Sequence, residues 1–343
     1  MFSATTIFFL GPTGYIGGAV LQLLLDDPRY EITALVRDQA KADVLAKKFG
    51  VRTVVGTMED EKLLEQEAAK ADVIFNIAAL WIIPGIKALL NGSKTKFEQT
   101  GKKPIFIHTS GAGAVAGEDA RGEFIPGKVY VDTDVETMTS LSSEHIHNIA
   151  DTMVRLADVE GGYVRSYILY PPMVWGQQRG ALADAGLTNV HPPALALPIK
   201  FSIARGQGGV IGKGLNQWSH VEVHEQADLF NLVLKAALAD PSFPSGNDAT
   251  FFPENGKFTM IDAAEAWTKA LHVAGKSRMA EPEPFTDEEL AQFGPGGIFA
   301  RYTGSTTLCS GERGRKLGWK PVLDRDAFMA SLEVEVKALL EAA

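Results

Sequence analysis

The chain has 343 residues, 45% hydrophobic and 22% charged, which leaves room for two domains, or one large α/β domain carrying a smaller one, and excludes general disorder. Thirty-three basic against 42 acidic residues give a formal charge of −9, an argument against nucleic acid or an anionic membrane as partner. The single cysteine, Cys309, forms neither an internal disulfide nor a thiolate metal site, so a reducing, cytoplasmic setting is expected.

The first 170 residues alternate strand and helix patterns. Thr5–Leu10 reads as a buried strand rather than a signal peptide, and Tyr15–Leu25 has helical spacing. Glu31–Val36 is a second strand, with a helix over Gln39–Phe49. Val51–Val55 is a third, with a helix around Glu59–Lys70. Val73–Ile77 is a fourth, followed by a helix from Pro84-Gly85. Ile105–Thr109 is the fifth strand, Met138–Val159 a long helical stretch and Tyr163–Leu169 the sixth strand. Strands separated by helices of this kind imply βαβ units and a parallel, doubly wound Rossmann sheet.

After Pro171-Pro172 the pattern breaks. Residues 176–215 are rich in Gly, Pro and Ala without a clear period and predict loops over a site. Ser219–Val223 alternates like a strand and Ala227–Ala239 is helical. Phe251-Phe252 is a short strand, and Met260–Val273 and Arg325–Leu340 are amphipathic helices. The expected organisation is a dinucleotide-binding domain over residues 1–175 and a smaller α+β substrate-binding region over 176–343, some of whose segments return to the first sheet.

Gly11-Pro12-Thr13-Gly14-Tyr15-Ile16-Gly17-Gly18 lies between the first strand and the first helix. Gly11 permits the sharp exit from the strand, Gly14 lets backbone N–H groups approach a pyrophosphate, and Gly17 permits tight helix–strand contact. Thr13, Tyr15 and Ile16 complete this turn. Twenty residues beyond Gly17, Arg37 stands where an acid would grip a ribose 2′-hydroxyl. A guanidinium there pairs with a 2′-phosphate, so NADP(H) is expected over NAD(H); the competing reading is a solvated arginine beside Asp38.

With these residues the chain resembles the extended and atypical short-chain dehydrogenase/reductases, including the NmrA-like and epimerase/dehydratase branches. The resemblance continues through Phe75-Asn76-Ile77-Ala78-Ala79 and Ile105-Phe106-Ile107-His108-Thr109-Ser110-Gly111. It extends to Pro171-Pro172-Met173-Val174-Trp175-Gly176, the segment from Trp218 to Ala227, and Lys316-Leu317-Gly318-Trp319-Lys320-Pro321. It implies that Thr57 and Met58 lie near the adenine, that Ala78 and Ala79 line the nicotinamide ribose, and that Pro171 and Met173 flank the nicotinamide. The family often pairs through its long helices, so the resemblance also implies a homodimer.

The family's proton-transfer residues do not carry over. Its Tyr-x-x-x-Lys pair occurs nowhere in the chain. Taking Asp151 as the family's following carboxylate puts Ser143 at the tyrosine position and His147 at the lysine position. The family's serine position falls on Ala112. His147 is the leading replacement, because imidazole titrates near neutrality; a capping or surface histidine is the alternative, and His145 lies on a different helix face. Ser110 could reach the site or be a plain turn residue, and Tyr130 is a further phenolic candidate. His220, Glu222 and His224 would share one face of a strand, a spacing that could hold a metal, but no metal is expected there. Glycines 206, 208, 209, 212 and 214 suggest a mobile substrate loop.

Three functions follow. The first is an NADP(H)-dependent oxidoreductase acting on a small organic carbonyl, imine or enone with a non-standard proton donor. The second is an NADP(H)-binding isomerase, cyclase or cycloaddition catalyst of secondary metabolism. The third is an NmrA-like redox-sensing regulator. The apolar residues Trp175, Leu195, Leu197, Ile199 and Phe201 favour the first, as a wall for an organic substrate.

Overall fold

The computed structural model describes residues 4–342 apart from 79–80, 118, 143–145 and 295–296, together with the side chains of all of these except 146 and 147. β1 (Thr5–Leu10), α1 (Tyr15–Leu24), β2 (Tyr30–Val36), α2 (Gln39–Phe49), β3 (Arg52–Val55), α3 (Glu61–Ala68), β4 (Val73–Asn76), α4 (Ile83–Thr100) and β5 (Ile105–Thr109) follow the alternation of the sequence. A 3-10 turn at Ala112–Val115 leads to β6 (Val129–Val131), α5 (Val135–Thr139), α6 (Ile146–Val159) and β7 (Arg165–Leu169). The long helical stretch expected over Met138–Val159 is thus two helices, because α5 ends at Ser140.

The main sheet has seven parallel strands in the order β11-β7-β5-β4-β1-β2-β3, where β11 is Thr250–Phe251. The order reverses between β1 and β4, which is where open α/β sheets form their ligand crevice. All strand C-termini lie along one edge: Leu10 pairs with Leu35 and Asn76, Asn76 with His108, and Thr109 with Leu169. This is the Rossmann-type doubly wound architecture expected. One apolar core lies under α1 and α2, and another under α3, α4 and α6.

Beyond β7 the chain forms β8 (Met173–Trp175), α7 (Ala181–Asp184), α8 (Pro193–Arg205), β9 (Gly209–Val210), β10 (Gln217–Glu222) and α9 (Val223–Ala239). After β11 come β12 (Lys257–Thr259), α10 (Met260–Val273), β13 (Glu283–Pro284), α11 (Asp287–Leu290), α12 (Ile298–Thr303), β14 (Leu308–Ser310), α13 (Glu312–Lys316) and α14 (Arg325–Glu341). A three-stranded sheet, β12-β10-β8, packs with α8, α10 and α14 into a third core. Two segments return to the main sheet: β11 pairs with β7, and α9 contributes Leu229, Phe230, Val233 and Leu234 to the core beneath α1.

The stretch expected to be patternless contains the 13-residue helix α8. Its buried positions, Leu195, Ala196, Ile199 and Ser202, have helical spacing, but Pro198 sits inside it and prolines open it. Of the five glycines that suggested a mobile loop, four are close packing contacts. A Cβ on Gly208 would lie 2.0 Å from Thr268 Oγ1, on Gly209 2.2 Å from the Phe285 ring, and on Gly212 1.9 Å from the Arg121 carbonyl. Gly206 caps α8 with φ +69°, and Gly214 (φ +65°) lies against Ile261. Among the described residues, no helix is long and apolar enough to cross a membrane.

His220 anchors the third core. Trp175 Nε1 donates to its Nδ1 (3.0 Å), and its ring stacks on Phe328 with centroids 5.1 Å apart. Burial holds its pKa down to about 4 from an ordinary 6.5. The unfolded chain therefore takes up this proton first as the pH falls. The stability contributed by neutral His220 is complete above pH 6.5 and is lost as the pH drops through about 4. Urea titrations between these limits are expected to show wild type losing roughly 3 kcal/mol more than a His220→Gln variant.

Candidate functional site

The turn after β1 is built by contacts that exclude side chains. Gly11 has φ +88°, and a Cβ on it would lie 2.3 Å from the Ile77 carbonyl oxygen and 3.3 Å from the Ala78 nitrogen. A Cβ on Gly17 would lie 2.0 Å from the Gly11 carbonyl oxygen. The strand end, the helix start and the β4 exit therefore meet backbone to backbone, which brings Ala78 beside the turn. Gly14 differs. It is the N-cap of α1, no side chain caps the helix there, and its Cβ position meets only the Gly11 oxygen, at 3.3 Å. A helix N-terminus with open N–H groups and no side chain in front is an anion-binding cradle. Thr13 and Ile16 are partly exposed on this turn. Tyr15 is buried, and its hydroxyl donates to the Gly176 carbonyl.

Arg37 is exposed just beyond β2. Asp38 is occupied as the N-cap of α2, accepting from Lys41 N at 2.8 Å, and among the described residues no carboxylate pairs with Arg37. Gly56 N donates to the Val36 carbonyl (3.1 Å), so the tips of β2 and β3 stay together and Thr57 follows beside Arg37. Thr57 is tied to Asp60 through its own N–H and hydroxyl. Met58 is buried, with its carbonyl in close contact with Gly85 of α4.

Pro171 and Met173 are buried where the chain leaves β7. The Pro171 carbonyl accepts from Ala112 N at 2.8 Å, and Met173 opens β8 and reaches into the third core. Ala79 lies outside the described residues, as do Ser143 and His145. The side chain of His147 does too, although its backbone belongs to α6. Tyr130 stands on β6, with Lys128 5.3 Å over its ring; among the described residues its hydroxyl has no hydrogen-bond partner. His220, Glu222 and His224 do not share a strand face, because α9 begins at Val223. Glu222 caps that helix, accepting from His224 N and Glu225 N, and His220 is enclosed by aromatic rings. Among the described residues, no three His, Cys, Asp or Glu side chains are grouped to hold a metal.

Ser110, one residue beyond β5, is joined to groups that sequence reasoning did not place in the site. Its hydroxyl donates to Asp151 Oδ2 on α6 at 2.6 Å. Asp151 Oδ1 lies 3.3 Å from His108 Nε2, and His108 Nδ1 lies 3.0 Å from the Asn76 amide nitrogen. Tyr170 lies beside Asp151; burial, and then the Asp151 charge, push its phenol well above the usual range. All five are buried. They form one polar row across the C-terminal ends of β4, β5 and β7. His108 Nε2 and Asp151 Oδ1 face each other at 3.3 Å without forming a hydrogen bond, so among the described residues the side-chain donor to this carboxylate is the Ser110 hydroxyl. The signal in the sequence was a polar residue, His108, near the end of an otherwise apolar strand, together with Asp151 as the family's carboxylate position.

A Rossmann-type sheet with a glycine turn at its switch point, and a smaller mixed-sheet unit beside it, make up this architecture. Residues 3–90 match the model of the NmrA-like family. The chain is 29% identical over 332 residues to the oxidase ucsJ of Acremonium sp., covering 92% of each protein. It is 22% identical over 243 residues to an uncharacterized protein of Saccharomyces cerevisiae, covering 67% of this chain and 70% of that one. Among solved structures it matches UDP-glucose 4-epimerase of Thermotoga maritima with a TM-score of 0.64 at 16% identity, covering 98% of this chain and 100% of the other. It matches dTDP-glucose 4,6-dehydratase of Bacillus anthracis with a TM-score of 0.64 at 16% identity, covering 98% and 97%.

The contacts rank the substitutions. Gly17→Ala forces backbone apart from backbone and is expected to cost about 2–4 kcal/mol. Gly14→Ala is expected to stay within about 1 kcal/mol of wild type. In the buried row, Ser110→Ala is expected to cost about 1 kcal/mol, and Asp151→Ala, which strands the Ser110 hydroxyl and removes the carboxylate facing His108, about 2–3 kcal/mol. Urea unfolding of the four variants checks both orders.

Proposed function

We propose that this chain is an NADP(H)-dependent oxidoreductase of the short-chain dehydrogenase/reductase type, acting on a small organic carbonyl, imine or enone. The observation that carries it is the uncapped N-terminus of α1 behind Gly11, Gly14 and Gly17, with the exposed, carboxylate-free Arg37 at the tip of the neighbouring strand. The turn's N–H groups and helix dipole would hold the pyrophosphate, and Arg37 the 2′-phosphate. Ala78 would face the nicotinamide-side ribose, with Pro171 and Met173 beyond it. A bound nicotinamide supplies or accepts the hydride. The residues of the chain then have the proton to manage. Ser110 is the described candidate at the strand ends: its oxygen would take a proton from a substrate hydroxyl while its own hydrogen passes to Asp151, and the return of that proton would serve the reductive direction. The names of relatives and neighbours, an oxidase, an epimerase and a dehydratase, support an enzyme.

A redox-neutral isomerase or cyclase is the second reading, favoured by one observation: the Ser110 hydroxyl is already donated to Asp151 and little exposed. Fluorescence titration with NADPH and NADH tests the cofactor. NADPH is expected to bind at least about tenfold more tightly, with Arg37→Glu erasing the difference. Equal affinities in wild type would remove the role given to Arg37. Deuterated NADPH offered with a panel of ketones and imines is expected to label a product; label in none of them would leave the redox-neutral reading.

A further inference from the structure

A cleft of about 430 Å³ opens between α14 and the segment that follows β8. Its size is that of a small-molecule site. It adjoins the glycine turn, because Gly176, which lines it, accepts the Tyr15 hydroxyl bond. Ala327, Ser331 and Glu335 line it at i, i+4 and i+8, so they form one stripe of α14 facing the cleft. Trp175, Leu195 and Leu332 supply apolar wall.

Two carboxylates are buried here, and they differ in what they still lack. Glu222 is saturated: Oε2 accepts from His224 N (2.6 Å) and Glu225 N (3.0 Å), and Oε1 meets His224 Nδ1 (2.9 Å) and Arg179 (3.4 Å). Glu335 is not. Its side chain is 5% exposed, Oε1 is bonded to His191 Nδ1 at 2.7 Å, and among the described residues Oε2 has only the Gln177 amide at 3.5 Å. Burial pushes this carboxyl above its ordinary range, with His191 opposing. A buried carboxylate with one oxygen poorly served gains most from a charged donor.

We infer that this cleft binds a protonated organic amine with an apolar body, its ammonium on Glu335 and its hydrocarbon against Trp175, Leu195 and Leu332. The site goes beyond the cofactor reading and does not require it.

The test uses the full chain and three probes of one shape, 2-phenylethylammonium, 2-phenylethanol and 3-phenylpropionate, titrated by calorimetry or ligand-observed NMR. The amine is expected to bind saturably, at least about tenfold more tightly than the alcohol, with the carboxylate weakest. Glu335→Gln is expected to erase the preference for the amine. Ser331→Phe, which fills the cleft and leaves Glu335 in place, is expected to abolish saturable binding and guards against a Glu335 variant that does not fold. Equal affinity for amine and alcohol, tighter binding of the carboxylate, amine binding unchanged in both variants, or no saturable amine binding would each overturn the assignment. NADPH titration of the same preparation reads the cofactor site separately.

Discussion

Where β1 ends, three stretches of backbone approach so closely that Gly11 and Gly17 have no room for a side chain. Gly11 lies against the Ile77 carbonyl and Gly17 against the Gly11 carbonyl. This contact sets the direction of α1 relative to the sheet, keeps the β4 exit beside it, and leaves the helix N-terminus open at the point where the strand order reverses. It also places Tyr15, and through its hydroxyl the Gly176 carbonyl, so the path into the smaller unit is registered on the same turn. Gly18 extends the constraint: a Cβ there would lie 2.4 Å from Thr188, whose neighbour Asn189 donates its N–H to the Thr13 carbonyl.

The parts of this molecule that could be read in advance are those where local pattern and tertiary environment agree. Thr5–Leu10, Gln39–Phe49, Ile105–Thr109 and Met260–Val273 carry their periodicity in residues that are also buried, and their limits coincide with the structure. α8 escaped because Pro198 conceals a helix that tertiary packing tolerates. The glycines from 206 to 214 misled for a related reason: the same residue type serves a mobile loop and a crowded contact, and only the partner, Thr268 or Phe285, distinguishes them. Phe251-Phe252 was legible as a short strand, one residue out of step with β11, but its place at an edge of the main sheet was not.

In the candidate site the division is similar. The glycine turn and Arg37 are local features and were legible as such. The row Asn76–His108–Asp151–Ser110 is assembled from two strands, a helix and a loop separated by up to 75 positions, and no spacing in the chain announces it. The absence of a Tyr-x-x-x-Lys pair was plain in the sequence. Burial of the Ser110 hydroxyl on a carboxylate, which bears directly on how a proton could move, emerges only from the packing of α6 against β5.

The return of α9 and β11 to the main sheet governs how this chain can be divided. Phe230, Val233 and Leu234 of α9 share one core with Val20, Leu21 and Leu24 of α1, and Trp319 joins the same core from near the C-terminus, its Nε1 donating to the Glu225 carbonyl. The half that carries the main sheet is therefore not a contiguous module. A cut after Trp175 would strip the apolar cover from α1 and expose the edge of β7, leaving a fragment with a bare hydrophobic face. Exchange of the smaller unit between relatives, by recombination or by design, must respect several junctions at once, not a single linker.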